Sequence, residues 1–151
     1  MVQFFIYLGR TELRDMPMPI TYSPAQDVQE IVKEIVDTLS LNYIDSERVI
    51  CFRSKGSRSR MGIARCYALS KIWQKALNMP PSYIIEVISE SFDKIDDLEK
   101  EKVLIHELLH IPKGFTGGLA HHRRGFESQV RLYHRIYRSW RKRKEEAASN
   151  G

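Results

Sequence analysis

The sequence predicts an α+β domain, a small β-sheet packed on helices. Three observations carry that expectation. Short runs rich in β-branched and aromatic residues, such as Tyr83-Ile84-Ile85-Glu86-Val87-Ile88, alternate with longer stretches whose apolar residues recur every three to four positions. The helical stretches open on capping residues and close on Pro or Gly. At 151 residues, 42% hydrophobic and 28% charged, the chain has the composition of a globular protein and the length of one domain with a moderate core.

The elements follow in chain order. Met1-Val2-Gln3-Phe4-Phe5-Ile6-Tyr7-Leu8 has no basic leading region and no small-residue cleavage site, so it reads as a first strand rather than a secretion signal. Ser23-Pro24-Ala25-Gln26 reads as a helix start, with Ser23 as cap, Pro24 at the first position and Gln26 closing a capping box. Val28, Ile31, Val32, Ile35 and Leu39 then line one face through about residue 41. Residues 48–52 suggest a second strand. Residues 62–77 suggest a second helix with Ile63, Cys66, Tyr67, Trp73 and Leu77 available for burial, and Pro80-Pro81 separates it from a third strand at 83–88. Asp96 can cap a helix, with Glu99 three residues on, and residues 97–111 contain neither Gly nor Pro before Pro112 and Gly114 stop it. Phe126, Val130, Tyr133, Tyr137 and Trp140 make an aromatic stripe on a last helix at about 123–144, which closes a single domain over residues 1–144. Residues 145–151 read as a disordered tail.

The chemistry is concentrated in the third helix. His106-Glu107-Leu108-Leu109-His110 matches H-E-x-x-H. Residues four apart share one helix face, roughly 6 Å apart along the axis, so two imidazoles can converge on one cation while Glu107 reaches a water beside it. A strand feeding such a helix is the order of zincin-type peptidases, and the layout is that of a minimal zincin-like domain. A catalytic zinc takes three protein ligands and leaves one position open. The glycine-punctuated segment 112–122 ends in His121 and His122, and its turn could return either one to the metal. A carboxylate is the other option, with Glu127 nearest downstream. The longer spacing of metzincins is absent, since Thr116 stands six residues after His110.

His106-Glu107-Leu108-Leu109-His110-Ile111-Pro112, followed by Phe115, Gly117, Leu119 and a histidine, resembles a group of small archaeal and phage metallopeptidases. The resemblance runs from about Arg48 to about Arg131, and residues 51–60 look like its archaeal branch. In that group the segment after the helix ends in one histidine, two residues beyond a spacer that follows Leu. The resemblance therefore implies His122 as third ligand, with His121 the alternate. The motif points to one zinc ion per chain and to Glu107 as the base that activates water, with a peptide or protein as the expected substrate. Residues 83–88 could pair with an extended substrate backbone as an exposed sheet edge. Tyr133 and Tyr137 are candidates to stabilise the oxyanion, by nearness in sequence alone.

Charge offers a second reading. Residues 1–111 hold 14 Lys or Arg against 16 Asp or Glu, whereas residues 112–144 hold 10 against Glu127 alone. The basic face of the last helix, including Arg135 and Arg138, and a basic turn at 53–60, including Arg58 and Arg60, are candidate contacts to anions or nucleic acid. On that reading the protein is a nucleic-acid-associated zinc protein or a DNA-linked protease. A third reading is a non-catalytic metal-binding scaffold, against which the intact Glu107 speaks. Glu86 and Glu90 are expected to face solvent, and His134 to be a surface or packing residue. Two cysteines without a C-x-x-C, Cys51 and Cys66, point to reduced thiols and a cytoplasmic protein. No window is apolar over the roughly 18 residues of a membrane span.

Overall fold

The computed structural model describes residues 19–57 and 62–151. The strand expected at residues 1–8, and Arg58 and Arg60 of the basic turn, lie outside them. The architecture is α+β. The four strands are β1 (Thr21–Pro24), β2 (Val49–Lys55), β3 (Ala64–Ala68) and β4 (Tyr83–Ile88), in the spatial order β1-β2-β4-β3. β1 runs antiparallel to β2, β2 parallel to β4, and β3 antiparallel to β4. The helices are α1 (Gln26–Thr38), α2 (Lys71–Leu77), α3 (Ser89–Phe92), α4 (Asp97–Leu109) and α5 (Phe126–Ser149).

One face of the sheet carries α1 and α4, with α5 across them. Val49, Cys51, Tyr83, Ile85 and Val87 point into this core and meet Val28, Val32, Ile35, Leu104, Ile105, Leu108 and Tyr137. Cys51 and Cys66 both pair in register with Ile85, from β2 and β3. Two strand spacings, about 9.6 Å, separate them, beyond the reach of a disulfide. Burial pushes each thiol up to about 12.

Several expectations give way to tertiary pairing. Ser23 does not cap α1: it pairs with Arg53 in the β1–β2 ladder, Pro24 ends that edge strand, and the helix begins at Gln26 after Ala25. The helix expected over 62–77 is two elements. Alternating exposure along Ala64-Arg65-Cys66-Tyr67-Ala68 fits a strand that finds β4 as partner, and only residues 71–77 coil. Trp73 and Leu77, expected to be buried, are exposed. Glu86, expected in solvent, is buried on the other sheet face and accepts a hydrogen bond from the Tyr67 hydroxyl at 2.7 Å. Glu90 lies on α3, not on the strand, and accepts from the Gly56 N–H. α5 continues to Ser149 where a tail was expected.

The remaining boundaries matter for the site. The Asp96 side chain accepts from the Glu99 N–H at 2.9 Å and starts α4, whose last turn carries His106 and ends at His110. β4 has partners on both sides and is no edge, so its backbone cannot pair with a substrate; among the described residues, the edge strand beside α4 is β3. Among the described residues, no helix is long and apolar enough to cross a membrane.

Candidate metal centre

His106 and His110 project from successive turns of α4, and the 115–122 segment folds back over them. That return is anchored on Tyr83. Its hydroxyl accepts from the Gly117 N–H at 2.9 Å and donates to the Gly118 carbonyl at 3.0 Å, while the Phe115 ring packs tilted against its own. Gly117 has φ +92, and a Cβ there would stand 2.6 Å from the Leu69 carbonyl oxygen and 2.1 Å from the Gln74 amide nitrogen. Only glycine fits both demands. Ala120 then closes the loop with a reciprocal pair: its N–H donates to the His110 carbonyl at 2.7 Å, and the His110 Nδ1–H donates to the Ala120 carbonyl at 2.7 Å.

The loop delivers His122 and not His121. His122 Nε2 lies 3.0 Å from His106 Nε2 and 3.2 Å from His110 Nε2. Among the described residues these three form the one histidine, cysteine or carboxylate cluster able to hold an ion. Nitrogens bound tetrahedrally at about 2.0–2.1 Å from one ion would stand about 3.3 Å apart, so the spacing suits a small cation. The tautomers agree. His110 spends its Nδ1–H on Ala120, and His106 Nδ1 faces Glu127 Oε1 at 3.3 Å, which leaves both Nε2 lone pairs aimed at His122. Converging lone pairs repel unless a cation or a proton lies between them. Glu127, the carboxylate alternative for the third ligand, thus orients His106 instead. Burial lowers the His106 pKa against the opposing pull of Glu127.

Glu107 turns to the neighbouring side of the helix, toward the β3 edge. It is 8% exposed and accepts a hydrogen bond from the Cys66 backbone N–H. Burial raises its carboxyl to about 7, and the Cys66 N–H only partly opposes this. A cleft of about 460 Å³ opens between Ala64 and Cys66 on one side and Leu119, Ala120 and His121 on the other, with His106, Glu107, His110 and His122 at its floor. Three converging imidazoles and a buried carboxylate of raised pKa in one cleft are the kind of constellation that marks a functional site.

Three contributors have little or no trace in the sequence. The Phe126 ring lies 4.9, 5.3 and 4.6 Å from the rings of His106, His110 and His122, and backs the whole cluster. It belongs to the aromatic stripe, which reads only as core. The Ala120 carbonyl and the Cys66 N–H are backbone groups and have no residue signature. Tyr133 and Tyr137 do not line the cleft. Tyr137 is fully buried and donates to Glu34 at 2.6 Å, and Tyr133 accepts from Gln129.

The basic helix is tied down on its inner side. Buried Glu101 receives His134 at 2.9 Å, Arg138 at 3.2 Å and Arg141 at 3.5 Å, and Glu34 receives Lys144 at 2.8 Å. His134 is therefore a buried partner of Glu101, and Arg138 is committed to the same carboxylate. Arg135 faces outward.

No curated protein and no solved structure is significantly similar to the chain. A family model matches residues 20–148, a span that contains the histidine cluster, Glu107 and the whole described sheet. The chain belongs to that family, described as putative phage metallopeptidase.

Proposed function

We infer that the protein is a zinc-dependent peptidase of the H-E-x-x-H type, a minimal zincin that hydrolyses peptide bonds with Glu107 as general base. The observation that carries the reading is the convergence of three imidazole nitrogens beside a buried carboxylate whose pKa is raised to about 7. His106, His110 and His122 would hold the ion, and three neutral imidazoles with an open fourth position are a donor set that suits zinc. The bound metal would supply an acidified water and polarise the scissile carbonyl.

The chain's own groups do the rest. Glu107 accepts a proton from the attacking water and passes it to the leaving amine nitrogen, and its burial in the cleft favours both transfers. Ala120 and Glu127 hold the His110 and His106 rings with Nε2 turned inward. The edge strand β3 can receive an extended substrate backbone beside Glu107, the role the sequence suggested for residues 83–88.

The reading is tested with Glu107→Gln. The substitution keeps shape and removes the base, so zinc content is expected to stay at the wild-type value while hydrolysis of a peptide library falls by about 10²-fold or more. Hydrolysis at the wild-type rate would remove Glu107 as the base. Nucleic-acid association is the weaker reading, because Arg138 is committed to Glu101.

A further inference from the structure

A second hollow of about 490 Å³ adjoins the metal cleft and shares Ala120 and His121 with it. Its apolar floor includes Ile111 and Phe126, and its charged groups are Lys113, Arg123 and Arg124. Among the described residues, no Asp or Glu lines it. Among the described residues no carboxylate pairs with any of these three cations, unlike Arg138, Arg141 and Lys144 on the inner side of α5. α5 also starts on the rim of the hollow. Gly125 is its cap residue and no side chain caps it, so the positive end of a 24-residue helix adds to the field. The one acidic residue in its first turn, Glu127, is engaged with His106.

The opposite flank of the cleft is different. The hollow beside Glu107 carries Glu99 and Glu127 as well as Lys102 and Arg131, with Ile63, Val103 and Val130 as its walls. Among the described residues, positive charge is therefore uncompensated on one side of the metal centre only. A concave site with an apolar floor and several unpaired cations is built for a carboxylate on a short stem.

We propose that the Lys113–Arg123–Arg124 hollow is a subsite for an acidic side chain of the substrate, so that the protein binds and cuts peptides with Asp or Glu on one side of the scissile bond. This rests on the peptidase reading for the cut, though not for the binding. Its concave shape and its continuity with the metal cleft favour a peptide side chain over a nucleic-acid backbone, which needs an extended basic track.

The test is binding to the zinc-loaded full chain carrying Glu107→Gln. Fluorescein-labelled decapeptides with Glu near a central bond are compared with their Gln counterparts by anisotropy, at low and at moderate salt. The Glu peptides are expected to bind at least tenfold more tightly at low salt. Adding Arg123→Gln and Arg124→Gln should erase that preference, with zinc content and Gln-peptide binding unchanged. Equal binding of the two peptides, or a preference that survives both substitutions, would overturn the proposal. Tighter binding of a single-stranded oligonucleotide that the same substitutions abolish would overturn it in favour of phosphate recognition. The two readings separate cleanly. A Glu preference in binding, without cleavage by the wild type, removes the peptidase reading and leaves the subsite. Cleavage without charge preference does the reverse.

Discussion

At the scale of single residues, orientation of the imidazoles matters as much as their number. His106 and His110 would both be free to choose the wrong tautomer without a partner at Nδ1. Ala120 holds His110 through a backbone carbonyl, which no side-chain substitution removes, whereas Glu127 holds His106 through a side chain at 3.3 Å. Glu127→Ala is therefore expected to weaken zinc affinity by about tenfold, toward the lower end of the usual range because Glu127 is exposed. Competition against a chromophoric chelator measures this directly, and unchanged affinity would show that the contact does not orient the ligand. The spacing of His106, Glu107 and His110 was legible at this scale because helix geometry alone puts the two histidines on one face. The spacing alone left His121 and His122 both open, and only the family resemblance favoured His122. Neighbouring residues in a loop point in different directions, and the direction depends on the Tyr83 and Ala120 contacts that only the folded chain provides.

At the scale of elements, α4 was readable because its signals are local: the Asp96 cap, an unbroken helical stretch and the Pro112 stop. β3 was not. Ala64-Arg65-Cys66-Tyr67-Ala68 has no strong intrinsic preference, and antiparallel pairing with β4 decides its state. The same dependence on partners explains Ser23, where a ladder with β2 outcompetes a helix cap. The consequence for the site is large, since β3 rather than β4 presents the edge beside Glu107. The glycine loop is the second critical element. Gly117→Ala places a Cβ against the Leu69 carbonyl and forces an L-residue to φ +92, a conformation costing about 1–2 kcal/mol before any clash. The variant should lose zinc affinity by at least tenfold with every histidine intact, because His122 can no longer reach its partners; isothermal titration with zinc reads the change. The third is the α4–α5 junction. Glu101→Gln leaves His134, Arg138 and Arg141 facing a neutral amide, and should cost about 2 kcal/mol. That corresponds to a thermal midpoint lower by about 4–8 °C in a chain of this size, measurable by circular dichroism. An unchanged midpoint would mean that apolar packing alone docks α5.

At the scale of the whole molecule, charge and cleft belong together. The formal net charge is +5, and the excess is not spread evenly. Arg138, Arg141 and Lys144 are drawn inward by Glu101 and Glu34 and serve to dock α5. Among the described residues, Lys113, Arg123 and Arg124 have no carboxylate partner and line the hollow that adjoins the metal cleft. A basic stretch that reads in sequence as a single patch is thus divided by the fold into a half that docks α5 and a half that lines the hollow beside the histidine cluster. The sheet is covered by helices on one face, and the whole machinery sits where the end of α4, the edge strand β3 and the start of α5 meet. Every step of this chemistry depends on the three-histidine centre. The most direct measurement is the metal content of the purified protein by elemental mass spectrometry, for the wild type and for His122→Ala and His121→Ala separately. One zinc per chain is expected in the wild type and in His121→Ala, and loss of it in His122→Ala. No metal in the wild type after zinc is added back, or equal loss in the two variants, would contradict the three-histidine centre.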